Sequence, residues 1–477
     1  MPTFSDIKAL VQKKNPKADL GVLERAYEFA AKAHAGQKRL DGTDYIEHVL
    51  ATAHTLAQMN LDLNTVVAGL LHDVPEDTSV TLEEVEKEFG PEVGKLVKGI
   101  TKLGKIKYRG LERYAENLRK MFVAMAEDIR VVIIKLADRL HNLETLGSLP
   151  PVKQQRIARE TLEIYAPIAN RLGIGDLRGK LEDLAFKYVY PEEYKWTTEV
   201  AKSRLEDQLA YVNTVISEVE RQLKESQVAP VSVHGRVKHY YSLYKKLQRK
   251  DMDISKVYDL VAIRVIVPDE AACYHALGLI HSHWKPMPGR IKDYISQPKP
   301  NGYRSLHTTV FGTDGRIVEF QIRTPEMHEA AEYGIAAHWR YKENGEKAEL
   351  QLPPEQLKWV EELLTWQKDI TDNEQYLSAL KIDIFQNRIF VFTPKGDVID
   401  LPEDATPVDF AYQIHSDIGN KCSGARVNEK IVPLETKLNS GDLVEIIIDK
   451  NRKGPSEDWL KFAKTHMAKE HIRAFTK

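Results

Sequence analysis

The feature that most constrains this chain is a change of hydrophobic period between residues 225 and 231. Up to about residue 225, apolar residues recur at three- and four-residue spacing and few runs alternate, the pattern of helix following helix. From Val231 onward, short runs rich in Val and Ile take over. Val257–Val267 and Ile317–Arg323 read as strands, with helical stretches between and after them, so this middle part is α/β. Start signals agree with the helical reading. Asp19 or Gly21 precedes an Ala-rich helix, and Thr81 followed by Glu84 is a capping-box pattern. A polar stretch from about Lys342 to Pro354 interrupts the pattern, and an amphipathic helix near Leu357–Trp366 follows it. A compact β-rich unit then spans about Ile382–Asp449. In it Arg388–Thr393 and Asp397–Leu401 flank Pro394-Lys395-Gly396, a hairpin signal, while Thr406–Ile418 reads as helix and Leu443–Ile448 as a closing strand. The tail after Lys450 is basic and helical. The changes of pattern, and 477 residues at roughly 100–200 per domain, point to about three or four domains.

Composition narrows the functional classes. Net charge is −2, so any nucleic-acid partner has to be met by local patches. The longest apolar runs, such as Val66 to Leu71, fall far short of the ~18 residues a membrane span requires, and no membrane partner is expected. The N-terminus has no basic flank followed by an apolar core, so no secretory signal is expected either. Cys273 and Cys422 stand far apart without metal-type spacing, which excludes a disulfide framework and a cysteine zinc site. The expectation is a soluble cytoplasmic protein.

Two constellations carry chemistry. The first comprises His48, the pair His72-Asp73, and Asp138. His72 and Glu76 are four apart, as are Asp73 and Asp77, so one helix face could carry a ligand pair and a carboxylate pair. Asp138 and Asn142 are likewise four apart, after the apolar turn Val131–Ile134. Carboxylates crowded in this way repel unless a cation or a basic partner offsets them, and a His-Asp pair on a helix can also be a satisfied polar pair; mixed His and carboxylate ligands suit Mn²⁺, Fe²⁺ or Zn²⁺. Such an ion makes a nucleophile of its water at neutral pH, with Glu76 and Asp77 to orient or deprotonate it.

The second constellation handles phosphates. Residues 231–250 hold Arg236, Lys238, Lys245, Lys246, Arg249 and Lys250 with no acidic residue, a local charge of +6. Residues 281–310 hold Lys285, Arg290, Lys292, Lys299 and Arg304 against Asp293, a local charge of +4. Tyr240, Tyr241, Tyr244, Tyr294 and Tyr303 are interleaved, and cations beside flat aromatic faces suit phosphates plus a nucleobase. Asp259 opens the first strand and is a natural Mg²⁺ ligand. In Ile317–Arg323, strand alternation puts Glu319, Gln321 and Arg323 on one polar face, where Glu319 either accepts a proton from an attacking hydroxyl or simply pairs with Arg323.

These residues lie in blocks that match a known family. "LLHDVPEDT" ending at Thr78, "IKLADRLHNLETL" at 134–146, "GRVKHYYSLYKK" at 235–246, "VYDLVAIRV" at 257–265, "GRIKDYISQPKPNGYRSLHTTV" at 289–310, "VEFQIRTPEMHEAAEYGIAAHW" at 318–339 and "AYQIHSDIG" at 411–419 occur in this order. The chain resembles the long RelA/SpoT homologues, which make and degrade the alarmone (p)ppGpp of the bacterial stringent response. The resemblance implies a multidomain chain: an all-α HD-type hydrolase domain, an α/β nucleotidyltransferase-like synthetase domain and a β-grasp TGS domain. The expected boundaries are 1–175 for the hydrolase, 176–225 for a helical connector, 226–345 for the synthetase, 346–381 for a linker helix, 382–450 for TGS and 451–477 for the start of a further region.

Carried over position by position, the resemblance implies Mn²⁺ on His48, His72, Asp73 and Asp138. Glu76 and Asp77 activate the water, Asn142 contacts the nucleotide and Arg39 lies against its guanine. In the synthetase it implies Mg²⁺ on Asp259, Glu319 as base, Tyr303 stacked on the guanine of GDP or GTP, and Arg236, Lys238, Lys246 and Lys292 on phosphates. The implied reaction moves pyrophosphate from ATP to the guanosine 3′-hydroxyl and releases AMP. Arg290-Ile291-Lys292-Asp293 fits the Arg-X-Lys-Asp form of the bifunctional branch. The TGS part, with His415, resembles an element that meets the 3′ end of uncharged tRNA on the ribosome; a buried structural histidine is the alternative.

Departures from the family pattern are local. Its usual Arg-Lys-Ser-Gly is Arg39-Leu40-Asp41-Gly42, which sets Asp41 to repel phosphate; its His-Pro is His48-Val49; and Arg304 replaces a common Gln. Long members continue past the position where this chain ends, so a shortened form is expected. Two other readings stay open: a hydrolase with a regulatory pseudo-synthetase, and a tRNA- or ribosome-binding sensor with residual catalysis. The oligomeric state is open.

Overall fold

The computed structural model describes residues 1–104, 110–226, 228, 230–299, 301–312, 315–341, 360 and 388–476. The chain divides into two compact units, residues 1–106 with 117–363, and residues 107–116 with 364–477.

The three- and four-residue spacing up to residue 225 becomes α1 (Phe4–Lys14), α2 (Leu20–Ala33), α3 (Tyr45–Gln58), α4 (Leu63–Leu71), α5 (Val74–Asp77), α6 (Leu82–Gly104), α7 (Gly110–Glu127), α8 (Ile129–Glu144), α9 (Pro151–Glu160), α10 (Ala166–Arg171), α11 (Gly175–Val189) and α12 (Pro191–Glu225). Asp19 caps α2 by accepting from the Gly21 N–H, and Thr81 and Glu84 exchange the two bonds of a capping box. α4 is buried from Thr65 to Leu71, and it packs with α3, α6 and α8, whose Val131–Ile134 turn is fully covered. Each such covered aliphatic contributes about 1.5–3 kcal/mol.

One expectation fails here. His72, Asp73, Glu76 and Asp77 do not share a helix: α4 ends at Leu71 and α5 begins at Val74. Pro75 has no N–H to pair with the Leu71 carbonyl four residues back, so the helix restarts with Pro in its first turn.

The α/β part carries β1 (Ser232–Val237), α13 (Tyr240–Gln248), β2 (Val261–Ile266), α14 (Glu270–His283), β3 (Lys285–Pro286), β4 (Lys292–Asp293), β5 (Leu306–Phe311), β6 (Ile317–Arg323) and α15 (Pro325–Tyr333). The sheet order is β1-β2-β6-β5-β3 with β4 on β5, and β2 runs parallel to β6. Val261, Ile263, Val265, Val318, Phe320 and Ile322 line one face and pack on α12 and α14. The opposite face carries polar residues such as Arg264, Glu319 and Gln321. β2 is shorter than the apolar run Val257–Val267 implied, because Val257 and Leu260 pack against Ala201, Leu243 and Leu247 instead of entering the ladder.

The helical and α/β parts meet backbone to backbone. Gly173, between α10 and α11, and Gly334, after α15, both have positive φ (74° and 54°). A Cβ on Gly334 would stand 2.1 Å from the Leu172 carbonyl oxygen, and one on Gly175 would stand 2.6 Å from that of Ala331. The Ile335 N–H donates to the Leu172 carbonyl across this seam at 2.9 Å. Only glycine permits that approach.

The second unit holds β7 (Arg388–Phe392), β8 (Val398–Pro402), α16 (Pro407–Ile414), α17 (Ser416–Asn420), β9 (Cys422–Val427), β10 (Lys430–Val432), β11 (Val444–Ile448) and α18 (His466–Thr476). β7 and β8 form the expected hairpin, β10-β9-β11 form a second sheet, and a parallel bridge from Phe392 to Leu443 joins the two. The helix expected over Thr406–Ile418 breaks at His415, which is extended and starts α17. The tail folds onto this unit: Trp459, Ala463, Ala468 and Ile472 share a core with Val408, Ala411, Tyr412 and Cys422. Buried Asp409 fastens it, Oδ1 accepting from the Lys464 and Thr465 N–H groups and the Thr465 hydroxyl, Oδ2 from Thr406. The polar stretch and the helix expected near Leu357–Trp366 lie outside the described residues, Val360 excepted. Among the described residues no helix is long and apolar enough to cross a membrane.

Candidate functional site

His48 on α3, His72 just past α4 and Asp138 on α8 are buried, and one ligand atom from each lies within 4.8 Å of the others. His48 Nε2 stands 3.2 Å from Asp138 Oδ1 and 3.3 Å from Asp73 Oδ2, and His72 Nε2 stands 3.2 Å from Asp73 Oδ1. The break before α5 is what turns Asp73 toward both imidazoles. His72 Nδ1 faces the Gly69 carbonyl at 2.8 Å, so Nδ1 carries the hydrogen and Nε2 offers a lone pair. That Nε2 is buried and makes no hydrogen bond, as a ligand atom aimed at a cation should be. The donor set therefore fits a divalent metal. Burial works against a charged His72, yet Asp73 and Asp138 raise it to about 9, a measure of the negative potential a cation would meet. Burial likewise opposes ionisation of Asp138, but Lys135, 2.7 Å away, and His48 hold its carboxyl well below the usual range.

The other residues singled out in the sequence surround this centre. Asn142 Nδ2 donates to Asp138 Oδ1 at 2.5 Å, and Arg39 donates to Asn142 Oδ1 at 2.9 Å and to the Thr145 hydroxyl at 3.2 Å. Glu76 is exposed at the rim; desolvation by the surrounding protein lifts its carboxyl to about 6, with Lys135 opposing and Asp73 and Asp77 adding. The Tyr45 hydroxyl lies 2.5 Å from Asp77 Oδ2 and 2.9 Å from Asp73 Oδ2. Sequence reasoning missed Tyr45, Lys135 and His141. His141 Nδ1 lies 2.8 Å from His48 Nδ1, and burial, His48 and Arg39 push it down to about 4, so it stays a neutral acceptor. Its place three residues after Asp138, on the same helix face, was the available signal. Asp41 Oδ1 accepts from the Thr43 N–H at 3.0 Å and the Thr43 hydroxyl at 2.6 Å, closing its own turn. Val49 is simply core.

The second site lies on the polar sheet face. Strand register sets His234, Arg264, Gln321, His307 and Lys292 in one row across β1, β2, β6, β5 and β4. Arg236, Ala262, Glu319 and Thr309 form the next row. Asp259 precedes β2, with Lys238 Nζ at 2.5 Å and Lys246 Nζ at 2.7 Å. Burial opposes its ionisation, but the two lysines hold its carboxyl below the usual range.

Glu319 does not pair with Arg323. It accepts from Gln321 Nε2 at 3.1 Å, and His307 Nδ1 lies 3.5 Å away. Gln321 and Arg323 are buried, so only part of this polar face meets solvent. The Tyr303 hydroxyl lies 2.7 Å from His307 Nε2, and Lys299 Nζ sits 4.9 Å from the Tyr303 ring centre and 4.6 Å from that of Tyr294. Burial, Lys292 and Arg178 push Lys299 down to about 8. Lys292 is exposed, while Asp293 builds a turn by accepting from the Ile295 and Ser296 N–H groups and from the Tyr274 hydroxyl. Arg304 is anchored on Glu270 at 2.6 Å. In the second unit the His415 side chain is 63% exposed, and its Nδ1 accepts from the Asp417 N–H, which excludes a buried structural role.

The chain is 46% identical over 478 residues to the bifunctional (p)ppGpp synthase/hydrolase SpoT of Escherichia coli strain K12, an alignment covering 100% of this chain and 68% of that one. The chain belongs to the RelA/SpoT family. Among other members, a GTP pyrophosphokinase of Myxococcus xanthus is 48% identical over 471 residues, covering 98% of this chain and 62% of that one. A probable guanosine-3′,5′-bis(diphosphate) 3′-pyrophosphohydrolase of Synechocystis is 47% identical over 456 residues, covering 95% and 60%. The chain thus spans about six-tenths of the length of these two relatives. Residues 26–175 match the HD domain, 235–346 the region found in RelA / SpoT proteins, and 389–448 the TGS domain. This RelA/SpoT chain therefore joins an all-α HD domain, an α/β synthetase domain of the family type and a β-grasp TGS domain.

Proposed function

We propose that this RelA/SpoT chain is a bifunctional alarmone enzyme of the cytoplasm. Residues 1–175 hydrolyse (p)ppGpp to GDP or GTP and pyrophosphate, 176–225 connect, and 226–345 make (p)ppGpp and AMP from ATP and GDP or GTP. Residues 346–381 link to a TGS domain at 382–450, and 451–477 begin a further region. The observation that carries the reading is the buried His48, His72 and Asp138 cluster, with its unbonded Nε2, in the same chain as the Glu319 and Tyr303 site.

In the hydrolytic half, His48, His72, Asp73 and Asp138 would hold Mn²⁺, which would supply a water acidified at neutral pH. Glu76, near 6, and Asp77 accept the water's proton and return it to the leaving 3′ oxygen. Arg39 and Asn142, already bonded to each other, hold the nucleotide. In the synthetic half, Tyr303 stacks on the guanine and Glu319 takes the proton of the 3′-hydroxyl. That oxygen bonds to the β-phosphorus of ATP as the bond to the α-phosphate oxygen breaks and AMP leaves. Asp259 ligates Mg²⁺. Arg236, Lys238, Lys246 and Lys292 stabilise the charge on the transferred group, the two lysines exchanging Asp259 for phosphate. Exposed His415, with Nδ1 engaged, presents Nε2–H outward to the 3′ end of an uncharged tRNA on the ribosome.

The test is pyrophosphate release from ppGpp by the purified chain with Mn²⁺, with chelator, and in a His72→Ala variant, beside AMP release from ATP and GDP in wild type and Glu319→Gln. Metal-dependent release lost in His72→Ala, and AMP formation lost in Glu319→Gln, support both halves. Hydrolysis indifferent to chelator, or AMP formation unchanged in Glu319→Gln, refutes the corresponding half.

A further inference from the structure

Arg323, the last residue of β6, is 1% exposed, and no carboxylate lies within ion-pair distance of it among the described residues. Its Nε and Nη1 make no hydrogen bond. An interior guanidinium without a counter-ion is costly, and packing alone does not call for one. Its remaining nitrogen shows where the charge is directed. Nη2 donates to Gln321 Oε1 at 2.9 Å and to the Tyr303 hydroxyl oxygen at 3.4 Å.

From those two acceptors, two arms lead to one atom. Gln321 Nε2 donates to Glu319 Oε1 at 3.1 Å. Tyr303 Oη lies 2.7 Å from His307 Nε2, and His307 Nδ1 lies 3.5 Å from the same Glu319 Oε1. Four hydrogen bonds and one electrostatic contact, the 3.5 Å approach of His307 Nδ1 to Glu319, join the five side chains in a ring. A guanidinium can only donate and a carboxylate can only accept, which fixes the direction of every hydrogen bond in the Gln321 arm, while the carboxylate facing His307 Nδ1 favours the hydrogen on that nitrogen. Tyr303 accepts from Arg323 and gives its own hydrogen to His307 Nε2, and His307 then carries its hydrogen on Nδ1, toward Glu319. Burial, with Lys299 and Arg323 nearby, keeps His307 neutral, as this order requires. Both arms reach Oε1, one by a hydrogen bond and the other by the 3.5 Å contact, which leaves Oε2 for a substrate hydroxyl.

We propose that Arg323 is a positioning residue of the synthetic half: through Gln321 and through Tyr303-His307 it holds Glu319 Oε1, aims Oε2 at the 3′-hydroxyl, and ties the nucleobase platform to the base. This rests on the reading of Glu319 as base and Tyr303 as guanine platform. Arg323 lies beneath both and touches no substrate. Loss of the ring lets the carboxylate rotate, a misplacement that costs about tenfold to a hundredfold in rate while nucleotide contacts survive.

The experiment measures AMP release by the full chain, with kcat and KM for ATP and for GDP, in wild type, Tyr303→Phe, Arg323→Met and the double variant. Tyr303→Phe keeps the stacking ring and removes only the hydroxyl. The expected result is a fall in kcat of about tenfold or more in each single variant, KM for both nucleotides within about twofold, and a double variant no worse than Arg323→Met. Multiplying effects in the double variant, or an Arg323→Met kcat within about twofold of wild type, overturn the proposal. Should Arg323→Met not fold, Tyr303→Phe decides alone: a lower kcat at unchanged KM for GDP supports the ring, and a change confined to KM overturns it. A wild type that forms no AMP, or a Glu319→Gln variant that still does, overturns the reading beneath the proposal instead.

Discussion

His141 should govern metal affinity without touching the metal. On the proposed ligand set His48 presents Nε2 to an ion shared with Asp138, which puts its hydrogen on Nδ1, and the acceptor found there is His141 Nδ1 at 2.8 Å, 3% exposed. In His141→Ala that buried N–H loses its partner, a loss of about 1–3 kcal/mol for a buried donor. The same change removes the His141 Nε2, which itself makes no hydrogen bond, so the net falls in the lower part of that range. About 1–2 kcal/mol corresponds to about a fivefold to thirtyfold weaker Mn²⁺ affinity. Calorimetric titration of the chelator-stripped chain with Mn²⁺ reads this directly, without any turnover. His141→Gln, which restores an acceptor, should recover most of the loss. Affinity within twofold of wild type in His141→Ala, or an equal loss in His141→Gln, would refute the argument.

Other perturbations follow from the same geometry. Gly334→Ala sets a Cβ 2.1 Å from the Leu172 oxygen at a φ of 54°, and should lower stability in urea unfolding by about 1–3 kcal/mol or more; an unchanged midpoint would show that the seam yields freely. Asp409→Ala leaves the Thr406, Lys464 and Thr465 N–H groups without their acceptor, and should destabilise the second unit by about 3–5 kcal/mol and speed proteolysis of the tail; a wild-type digestion rate counts against this. Lys299, pushed down to about 8 by burial and neighbouring cations, loses its charge as pH rises through that value, whereas an unperturbed lysine loses it near 10. Because Lys299 Nζ sits beside the Tyr303 ring proposed to carry the guanine, GDP should bind more weakly at pH 9 than at pH 7 by calorimetry. Lys299→Met should flatten that difference, and a pH effect surviving in it would assign the titration elsewhere.

Much of the candidate metal centre was readable because its donors lie in short blocks on strongly periodic helices. His48, His72 and Asp138 needed only the packing of α3, α4 and α8 to meet. The break at Asp73 was less visible, since it depends on one absent N–H, that of Pro75, inside an otherwise helical pattern. The sheet was legible only in its strands. Period-2 alternation put Glu319, Gln321 and Arg323 on one face, but register between strands is set by long-range pairing. The row from His234 to Lys292 therefore had no signature in the chain. Arg323 shows the limit most plainly: alternation gives a face, while burial depends on what lies above it. In the second unit, helix propensity across Thr406–Ile418 concealed the extended His415, whose own ring caps the next helix.

The glycine seam between Gly173, Gly175 and Gly334 has a consequence for heat and for proteases. Carbonyl oxygens packed where no side chain fits cannot separate a little, so the helical and α/β parts of the first unit should melt in one transition. A ligand that binds only the folded state then protects everything that melts with its site. GDP bound beside Tyr303 should raise the temperature at which the helices around His48 unfold and slow their digestion. A divalent ion at His48 and His72 should do the same for the sheet that carries Glu319.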